Sequence, residues 1–198
     1  MENYQIKKVS KKECEPILNK NHYLSQQGCN FRSGYNYGLF ENGELIGVAL
    51  FHTLSAWETA KGCFGLKDKE QRGFYELGRF AIDSEHHKRN LPSWFLARAI
   101  KQLRSETDVR AMITYADSEH HSGTLYQALG CKYYGLTAPK RDFWVEQADG
   151  TFKKQSRGKT KGVSGIWMPR SRKHRYLKVY DPTLTTRWVE EAYPHTTP

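Results

Sequence analysis

The fold of this chain is decided by one stretch, Ile113-Thr-Tyr-Ala-Asp117-Ser-Glu-His-His121-Ser-Gly123-Thr-Leu-Tyr126-Gln127-Ala-Leu-Gly130. It begins as a nearly continuous apolar strand and ends as a helix that Gly130 stops. An open α/β sheet places its ligands just beyond the carboxyl ends of its strands. Asp117 lies at such an end and is followed by two histidines and a glycine. We therefore expect the functional site at this join between strand and helix.

Composition limits the class of protein. At 198 residues the chain can form one sizeable domain, or a domain with an appendage. No apolar run approaches the roughly 18 residues of a membrane span, and the N-terminus lacks the apolar core of a signal peptide, so we expect a cytoplasmic protein without membrane contact. The four cysteines form no CxxC pair, which favours free thiols over a zinc site; they are Cys14, Cys29, Cys63 and Cys131.

The net charge of +10 is concentrated in one region. Between Thr151 and Tyr180 there are ten Lys or Arg residues and no Asp or Glu, whereas the rest of the chain has 21 basic and 21 acidic residues. A basic block on a neutral body is typical of a protein that binds a polyanion, most simply nucleic acid. A solvated tail that only aids solubility is the alternative interpretation.

Outward from the opening stretch, periodicity predicts alternating strands and helices. Asn42-Gly43 between two apolar runs indicates a hairpin, and Ser10 with Glu13 forms the pattern of a capping box. The segment from Ser55 to Arg72 shows no regular pattern. The predicted strands are Gln5–Val9, the arms of the hairpin Tyr37–Phe51, Phe74–Ile82, Ala111–Ala116, Cys131–Leu136, Asp142–Glu146, Gly165–Met168 and Tyr176–Val179. The predicted helices are Lys11–Asn19, Pro92–Ser105 and Ser122–Leu129, and a basic loop covers Lys153–Lys161.

This order of elements resembles the GNAT acyltransferase fold, an α/β (α+β) architecture with a central mixed, mostly antiparallel sheet flanked by helices. We expect a single catalytic domain over residues 1–180, with a DNA-contacting basic region at 151–178, and a tail at 181–198. The resemblance implies that the strand ending near Asp83 and the helix from Pro92 flank a cofactor pyrophosphate. The loop from Glu85 to Trp94 has none of the glycines that are usual there, so side chains would have to bind the phosphates.

Five motifs narrow the resemblance to the Mom family of phage DNA-modification proteins. Together they span most of residues 20 to 178, and their order and spacing are more specific than any one of them. They are Asn21-His22-Tyr23, Glu76-Leu77-Gly78-Arg79-Phe80, Asn90-Leu-Pro-Ser93-Trp-Phe-Leu96, Tyr115-Ala-Asp117 with His121-x-Gly123-x-x-Tyr126-Gln127, and Lys173-His174-Arg175-Tyr176.

The resemblance implies a transferase that converts adenine in double-stranded DNA to N6-carbamoylmethyladenine and so protects phage DNA from host restriction. Acetyl-CoA is one candidate donor, and an aminoacyl-tRNA or another glycyl donor is the alternative. Iron is a candidate metal, and a homodimer is left open. Two other functions compete with this one: a GNAT N-acyltransferase acting on a small amine or a protein, and a DNA-binding protein without enzymatic activity.

Three residues are the candidates for catalysis. Asp117 could accept an N–H of the adenine amine and take its proton, although an aspartate at a strand end also commonly caps the next helix. His121 could orient Asp117, and Tyr23 could stack on an extruded base or act as an acid. His22, Tyr23, Asp117 and His121 could jointly hold a metal if the fold brings them together.

The remaining candidates bind the donor or the DNA. Glu76 and Arg79 are three residues apart on one strand, so strict alternation places them on opposite faces. The donor-binding candidates are Arg79, Lys88, Arg89, Asn90 and Ser93. The DNA-binding candidates are His22, Tyr126, Gln127, Lys153, Lys154, Arg157, Lys159, Lys161, Arg172, Lys173, His174 and Arg175. Candidates for stacking on an extruded base are Tyr35, Tyr37, Trp57 and Trp144.

Overall fold

The computed structural model describes residues 3–26, 30–67, 70, 72–155 and 157–194. These residues form ten strands and five α-helices. The strands are β1 (Tyr4–Lys8), β2 (Tyr35–Glu41), β3 (Glu44–Thr53), β4 (Phe74–Ile82), β5 (Ala111–Asp117), β6 (Lys132–Leu136), β7 (Lys140–Glu146), β8 (Phe152–Gln155), β9 (Ile166–Arg170) and β10 (Lys173–Val179). The helices are α1 (Lys11–Asn21), α2 (Tyr23–Gln26), α3 (Glu58–Phe64), α4 (Leu91–Glu106) and α5 (Thr124–Ala128).

Seven strands form the central sheet in the order β1-β2-β3-β4-β5-β10-β6. β4 and β5 run parallel, and the other neighbouring pairs of this sheet are antiparallel. The parallel pair lies at the centre, where a buried strand needs apolar residues on both faces. The predicted fold class, a mixed and mostly antiparallel sheet with flanking helices, is confirmed.

Helices cover both faces of this sheet. Leu50 and Phe51 are neighbours on β3 but belong to different apolar clusters, because successive side chains point to opposite faces. α4 packs on the face of Phe51, and α1 packs on the face of Leu50 through Leu18. α3 covers the same side as α1 with Phe64, further along β4 and β5. α3 lies in the segment that showed no sequence pattern, so the prediction for that segment was wrong.

Two local signals of the sequence are confirmed. Asn42 and Gly43 both have positive φ, 51° and 89°, which is the backbone of a type I′ hairpin turn. The Ser10 side chain accepts a hydrogen bond from the Glu13 amide while the Glu13 side chain accepts from the Ser10 amide, which completes the capping box of α1.

A β-bulge at Gly78 separates β4 from β5. On β3, Leu50 pairs with Arg79 and Phe51 pairs with Leu77, so Gly78 is one residue in excess. Any side chain at Gly78 would collide with the His52 ring, since its Cβ would come within 2.2 Å of Nε2. Pairing between β4 and β5 ends at Leu77, although both strands continue. The two strands therefore diverge and leave an opening in the sheet.

The bulge also changes which side chains share a face. Glu76 pairs with His52 and Arg79 pairs with Leu50, and those two partners are two residues apart on β3. Glu76 and Arg79 therefore lie on the same side of the sheet. The prediction that they face opposite sides was wrong, because it assumed an unbroken alternation.

A second, smaller sheet has the strand order β8-β7-β9 and pairs only within itself. It lies between β6 and β10 along the chain. β7 and β9 were predicted, whereas β8 falls within the expected basic loop, where Phe152–Gln155 pairs with β7. In the described remainder of that loop, a short 3₁₀ turn at Arg157–Lys159 is the regular element.

Residues 181–194, which follow Tyr180, are irregular and pack on the domain. The Arg187 amide donates to the Cys63 carbonyl at 2.6 Å, and the Glu191 amide donates to the Tyr133 carbonyl at 3.0 Å. The Trp188 ring lies 5.9 Å from that of Tyr134. This segment therefore ties α3 to the edge strand β6.

Three of the four cysteines, Cys14, Cys63 and Cys131, are buried free thiols, as predicted, and Cys29 lies outside the described residues. Within the described ranges, no helix combines the length and apolar character needed to cross a membrane.

Candidate active-site cavity

A cavity of about 1090 Å³ opens where β4 and β5 diverge. It is bordered by the start of α2, the bulge of β4, the start of α4, the loop after β5 and the beginning of β10. The residues at this cavity that the sequence had already indicated are His22, Tyr23, Arg79, Asn90, Ser93, His121, Tyr126 and Lys173. The strand ends thus bring together motifs that are up to 151 residues apart in the sequence (His22 to Lys173).

Asp117 is not among the residues that line this cavity but lies buried behind two that do, Tyr23 and Lys173. Its side chain is only 4% exposed, and Lys173 lies directly opposite it because β10 pairs with β5 in that register. Lys173 Nζ forms an ion pair with Asp117 Oδ2, which also accepts hydrogen bonds from Ser171 Oγ at 3.0 Å and Tyr23 Oη at 3.2 Å. Oδ1 accepts from the Glu119 amide at 3.2 Å. Four hydrogen-bond donors therefore fix the orientation of the Asp117 carboxylate.

These donors keep Asp117 ionised. Burial raises the pKa of Asp117, but the hydrogen bonds from Lys173, Ser171 and the Glu119 amide together outweigh burial and lower the pKa below its ordinary value. The sequence pointed to Asp117 but missed Lys173 and Ser171 as its partners. No local pattern could have revealed them, because the pairing depends on the register of β10 against β5.

Tyr23 lies between the buried carboxylate and two histidine rings. The His22 ring stacks on it at 5.0 Å, and the His120 ring lies at 4.1 Å on a tilt of 36°. Burial and the neighbouring Asp117 carboxylate raise the pKa of Tyr23 well above its ordinary value. The phenol is therefore neutral, and its hydroxyl donates a hydrogen bond to Asp117.

Two of the histidines that line the cavity, His22 and His121, are neutral at physiological pH. Burial, with the nearby Arg79 and His121, lowers the pKa of His22 to about 4. Desolvation lowers the pKa of His121, against the opposing effect of the Asp117 carboxylate. A neutral imidazole can accept a proton, so His121 offers a base at the cavity rim.

Iron does not fit this arrangement. Across the part of the chain that the structure describes, no three His, Cys, Asp or Glu side chains are grouped so that they could hold a metal ion. The fold does bring His22, Tyr23, Asp117 and His121 together, which was the condition for a metal site, but the lysine and two hydroxyls occupy the carboxylate. The structure gives no support to a metal at these residues.

The donor-binding candidates separate into two groups. Arg79, Asn90 and Ser93 line the cavity. Asn90 caps α4 at a positive φ of 65°, a conformation that asparagine tolerates better than most residues, so it stands where a glycine would be expected. Lys88 and Arg89 do not line the cavity, and Lys88 binds Glu41 at 2.7 Å and the Tyr4 hydroxyl at 2.9 Å.

The DNA-binding candidates also separate. Lys173, His174 and Arg175 lie on β10 with partners inside the protein: His174 Nδ1 lies 2.8 Å from the Tyr133 hydroxyl, and the Arg175 guanidinium lies 4.7 Å from the Trp188 ring. Gln127 does not line the cavity and donates to the Tyr176 hydroxyl at 3.3 Å. The exposed members of the set are Lys153, Lys154, Lys159, Lys161 and Arg172, and only the backbone of Arg157 is described.

The proposed stacking residues differ in exposure. Tyr37 is fully buried and contacts the Phe51 ring, so it cannot reach DNA. Tyr35 packs edge-on against Tyr75. Trp57 is half-buried under the Lys61 ammonium. Trp144, on the second sheet, is half-buried and shares a face with the exposed Lys154, its partner on β8.

Several solved structures that share this fold are acetyltransferases. The ribosomal-protein-S18-alanine N-acetyltransferase from Escherichia coli is 13% identical, with a TM-score of 0.51 over 88% of this chain and 92% of its own. The IAA acetyltransferase from Bacillus cereus is 13% identical, with a TM-score of 0.54 over 89% and 99%. A Bacillus subtilis acetyltransferase in complex with CoA is 11% identical, with a TM-score of 0.51 over 90% and 98%.

Sequence comparison identifies the family. The curated protein sequences contain no match to this chain. The family model described as the Mom protein family matches residues 3–195, which is nearly the whole sequence. The structural relatives are too distant in sequence to show more than the fold, but that fold is the one the motifs indicated. The chain belongs to the Mom protein family and has a GNAT-like fold.

Proposed function

We propose that this protein is a transferase that modifies the N6 amine of adenine in double-stranded DNA. The product would be N6-carbamoylmethyladenine, which the family resemblance implies and which protects DNA from restriction. One observation carries the proposal. A phenol and two neutral imidazoles line one cavity, a buried carboxylate–lysine pair contacts the phenol, and Arg170 and Lys173 of the most basic region also line the cavity.

The size of the cavity supports a base as the acceptor. A target adenine inside a duplex must leave the base stack before an enzyme can reach its N6 amine. A volume of about 1090 Å³ is sufficient for a nucleobase together with the reactive end of a donor. Tyr23 and Tyr126 supply aromatic surface in its wall.

The polar side chains suit the chemistry of an aromatic amine. The N6 lone pair is delocalised into the ring, so the amine must lose a proton as the new bond forms. The Tyr23 hydroxyl donates to Asp117, which leaves its oxygen to accept an N–H of the base. The neutral imidazole of His121 then takes the proton. We assign Asp117 a positioning role, because direct contact with the amine would require it to lose one of its four donors.

The donor is proposed to enter from the side of β4 and α4. Arg79 and the start of α4 at Asn90 and Ser93 can bind phosphate groups there, through a guanidinium, a hydroxyl and backbone amides. A coenzyme A thioester and an aminoacyl-tRNA both carry phosphates and a reactive carbonyl. Attack of N6 on a glycyl ester would break that ester, free the tRNA 3′-hydroxyl and give N6-glycyladenine, an isomer of N6-carbamoylmethyladenine that must still rearrange. Attack on acetyl-CoA would free the CoA thiol and give N6-acetyladenine, which lacks the amide nitrogen of that product. Purified protein incubated with plasmid DNA and either acetyl-CoA or glycyl-tRNA distinguishes the two, because only the true donor transfers its isotopic label to DNA.

Nucleoside analysis tests the proposed function. Plasmid DNA from cells that express the protein is digested to nucleosides and weighed by mass spectrometry. We expect a deoxyadenosine species heavier by one carbamoylmethyl group, which is missing from cells with an empty vector. If only unmodified deoxyadenosine is found while the protein is soluble and expressed, the proposed function is wrong. Duplex binding without modification would favour a DNA-binding protein, and acetylation of a protein or amine would favour an ordinary N-acyltransferase.

A further inference from the structure

One face of the second sheet carries exposed apolar side chains among lysines and arginines. Residues paired directly across an antiparallel sheet share a face. On this face Lys140 pairs with Arg170, Asp142 with Met168, Trp144 with both Ile166 and Lys154, and Glu146 with Phe152. We call this surface, made of these nine residues, the arm face.

The arm face starts at the cavity. Lys140 and Arg170 form its inner row and line the cavity rim. The row of Trp144 and Ile166 follows four residues further along β7, at roughly 13 Å from the rim for a strand rise of about 3.3 Å per residue. Any long ligand that enters the cavity at one point can therefore lie along this face.

The apolar residues of the arm face have no cover. Ile166 is 46% exposed and Phe152 is 43% exposed, and they flank the half-buried Trp144. Large apolar side chains left in water on a sheet face mark an interaction surface. The second sheet forms no strand pairs with the central sheet in the described residues, and these apolar side chains remain open to solvent.

The charges of the arm face indicate what covers it. The segment from Thr151 to Tyr180 contains no carboxylate. Of the carboxylates that β7 contributes, Asp142 binds Lys154 and lies 3.8 Å from the Arg170 guanidinium, which leaves Glu146 as the acidic group of the outer row. Cations interleaved with exposed apolar side chains match a phosphate backbone next to a base stack.

We propose that the arm face docks on duplex DNA beside the cavity and that Ile166 and Phe152 act as an apolar wedge. This inference rests on the proposed function and deepens it. When adenine leaves the stack, a gap remains between its neighbours, and an inserted apolar side chain fills it and prevents return. Lys140, Lys154 and Arg170 hold the adjacent phosphates. The active site supplies the chemistry, and the second sheet opens the duplex.

The wedge is tested with duplexes that contain 2-aminopurine in place of adenine, whose fluorescence rises when the base leaves the stack. Because the target context is open, a set of duplexes covers every pair of neighbouring bases. The variant is Ile166→Ala with Phe152→Ala. The matched control is Val163→Ala with Val189→Ala, which also trims two exposed apolar side chains, 37% and 78% exposed, that lie outside the arm face.

We expect the wild type and the control to raise the fluorescence of at least one duplex severalfold at saturation. The wedge variant should bind that duplex with an affinity within about threefold but give less than half of the fluorescence rise. On a duplex with a mismatch at the 2-aminopurine, the wedge variant should equal the wild type, because the cost of opening has been removed. Far-ultraviolet circular dichroism confirms that the variants fold.

Two results would overturn the wedge. One is a wild-type fluorescence rise from the wedge variant on fully paired DNA. The other is tighter binding of the wild type to an RNA duplex of the same sequence, which would assign the arm face to RNA. The wedge and the proposed function can fail separately. Opened duplexes without any modified deoxyadenosine in plasmid DNA would contradict only the function, and full modification by the wedge variant would contradict only the wedge.

Discussion

The central sheet and the second sheet use the same basic block of sequence in opposite ways. Lys173, on β10 of the central sheet, is 18% exposed and neutralises a buried carboxylate. Lys154, on β8, is 46% exposed, and the lysines that follow it in the loop face solvent. Basic residues that are close together in the sequence therefore do not form a single basic surface in the folded protein. Of the cations of β10, Lys173 lines the candidate site, whereas the lysines of the second sheet and its loop remain exposed for a partner.

The largest contrast is expected in stability. Lys173→Met leaves Asp117 buried without its cation, which should lower the free energy of unfolding by about 3 kcal/mol. Lys154→Met should cost about 1 kcal/mol or less, because its ammonium is half exposed and Arg170 remains near Asp142. Urea denaturation of both variants measures the difference. Equal losses would show that the two regions do not differ in this way.

A double variant sharpens this result. Asp117→Asn in the Lys173→Met background removes the unpaired charge while it retains the shape of the side chain. We expect it to recover a large part of the lost stability, since coupled residues are not additive. A further loss of the full single-variant size would instead show that the two residues contribute independently.

The next largest effect is a pH dependence of the free energy of unfolding, which arises from the histidines that line the cavity. The pKa of His22 falls from 6.5 to about 4 on folding, so between these values the unfolded chain takes up a proton that the folded protein does not. Stability from this group is complete above pH 6.5 and is lost as the pH falls toward 4. His121 contributes with the same sign.

His22→Gln tests that assignment. Between pH 7 and pH 4.5, the free energy of unfolding of the variant should fall by about 2 kcal/mol less than that of the wild type. The control is His120→Gln, at an exposed histidine of the same cluster. If wild type and His22→Gln show the same decline in urea denaturation at the two pH values, burial of the His22 imidazole is contradicted.

A smaller effect concerns the salt dependence of DNA binding. Lys159→Gln with Lys161→Gln removes two exposed charges near the second sheet and should lower the slope of log affinity against log salt by about 2. Arg175→Gln should leave the slope unchanged, because its guanidinium lies on Trp188 inside the protein. Fluorescence anisotropy with a labelled duplex at several salt concentrations measures both slopes. A lower slope for Arg175→Gln would place β10 in the DNA interface.

Much of the fold was predictable, because its signals are local. The Asn42-Gly43 turn, the capping box of Ser10 and Glu13 and the strand Phe74–Ile82 all depend on neighbours in the sequence. The Gly78 bulge was not predictable, since an extra residue is defined only against the partner strand β3. Strand β8 was missed for the same reason: Phe152–Gln155 is short and polar, and pairing with β7 makes it a strand.

The site was predictable in its members but not in its contacts. His22, Tyr23, Asp117 and His121 do lie together, as the motifs suggested. Two partners of Asp117, Ser171 just before β10 and Lys173 at its start, come 54 and 56 residues later and depend on a cross-strand register that a single sequence does not encode locally. The cations of the basic block looked equivalent because burial, which separates Arg175 from Lys159, is a property of the folded chain.

The most direct test of the account compares chemistry with binding in the same variants. Tyr23→Phe removes the phenol that contacts Asp117, whereas Tyr37→Phe removes a phenol that donates to the Glu106 carboxylate at 3.1 Å outside the cavity. Modified deoxyadenosine in plasmid DNA and duplex affinity are measured for both. We predict that Tyr23→Phe loses about 100-fold of the modification and keeps its affinity, while Tyr37→Phe keeps both. Full modification by Tyr23→Phe would contradict the account.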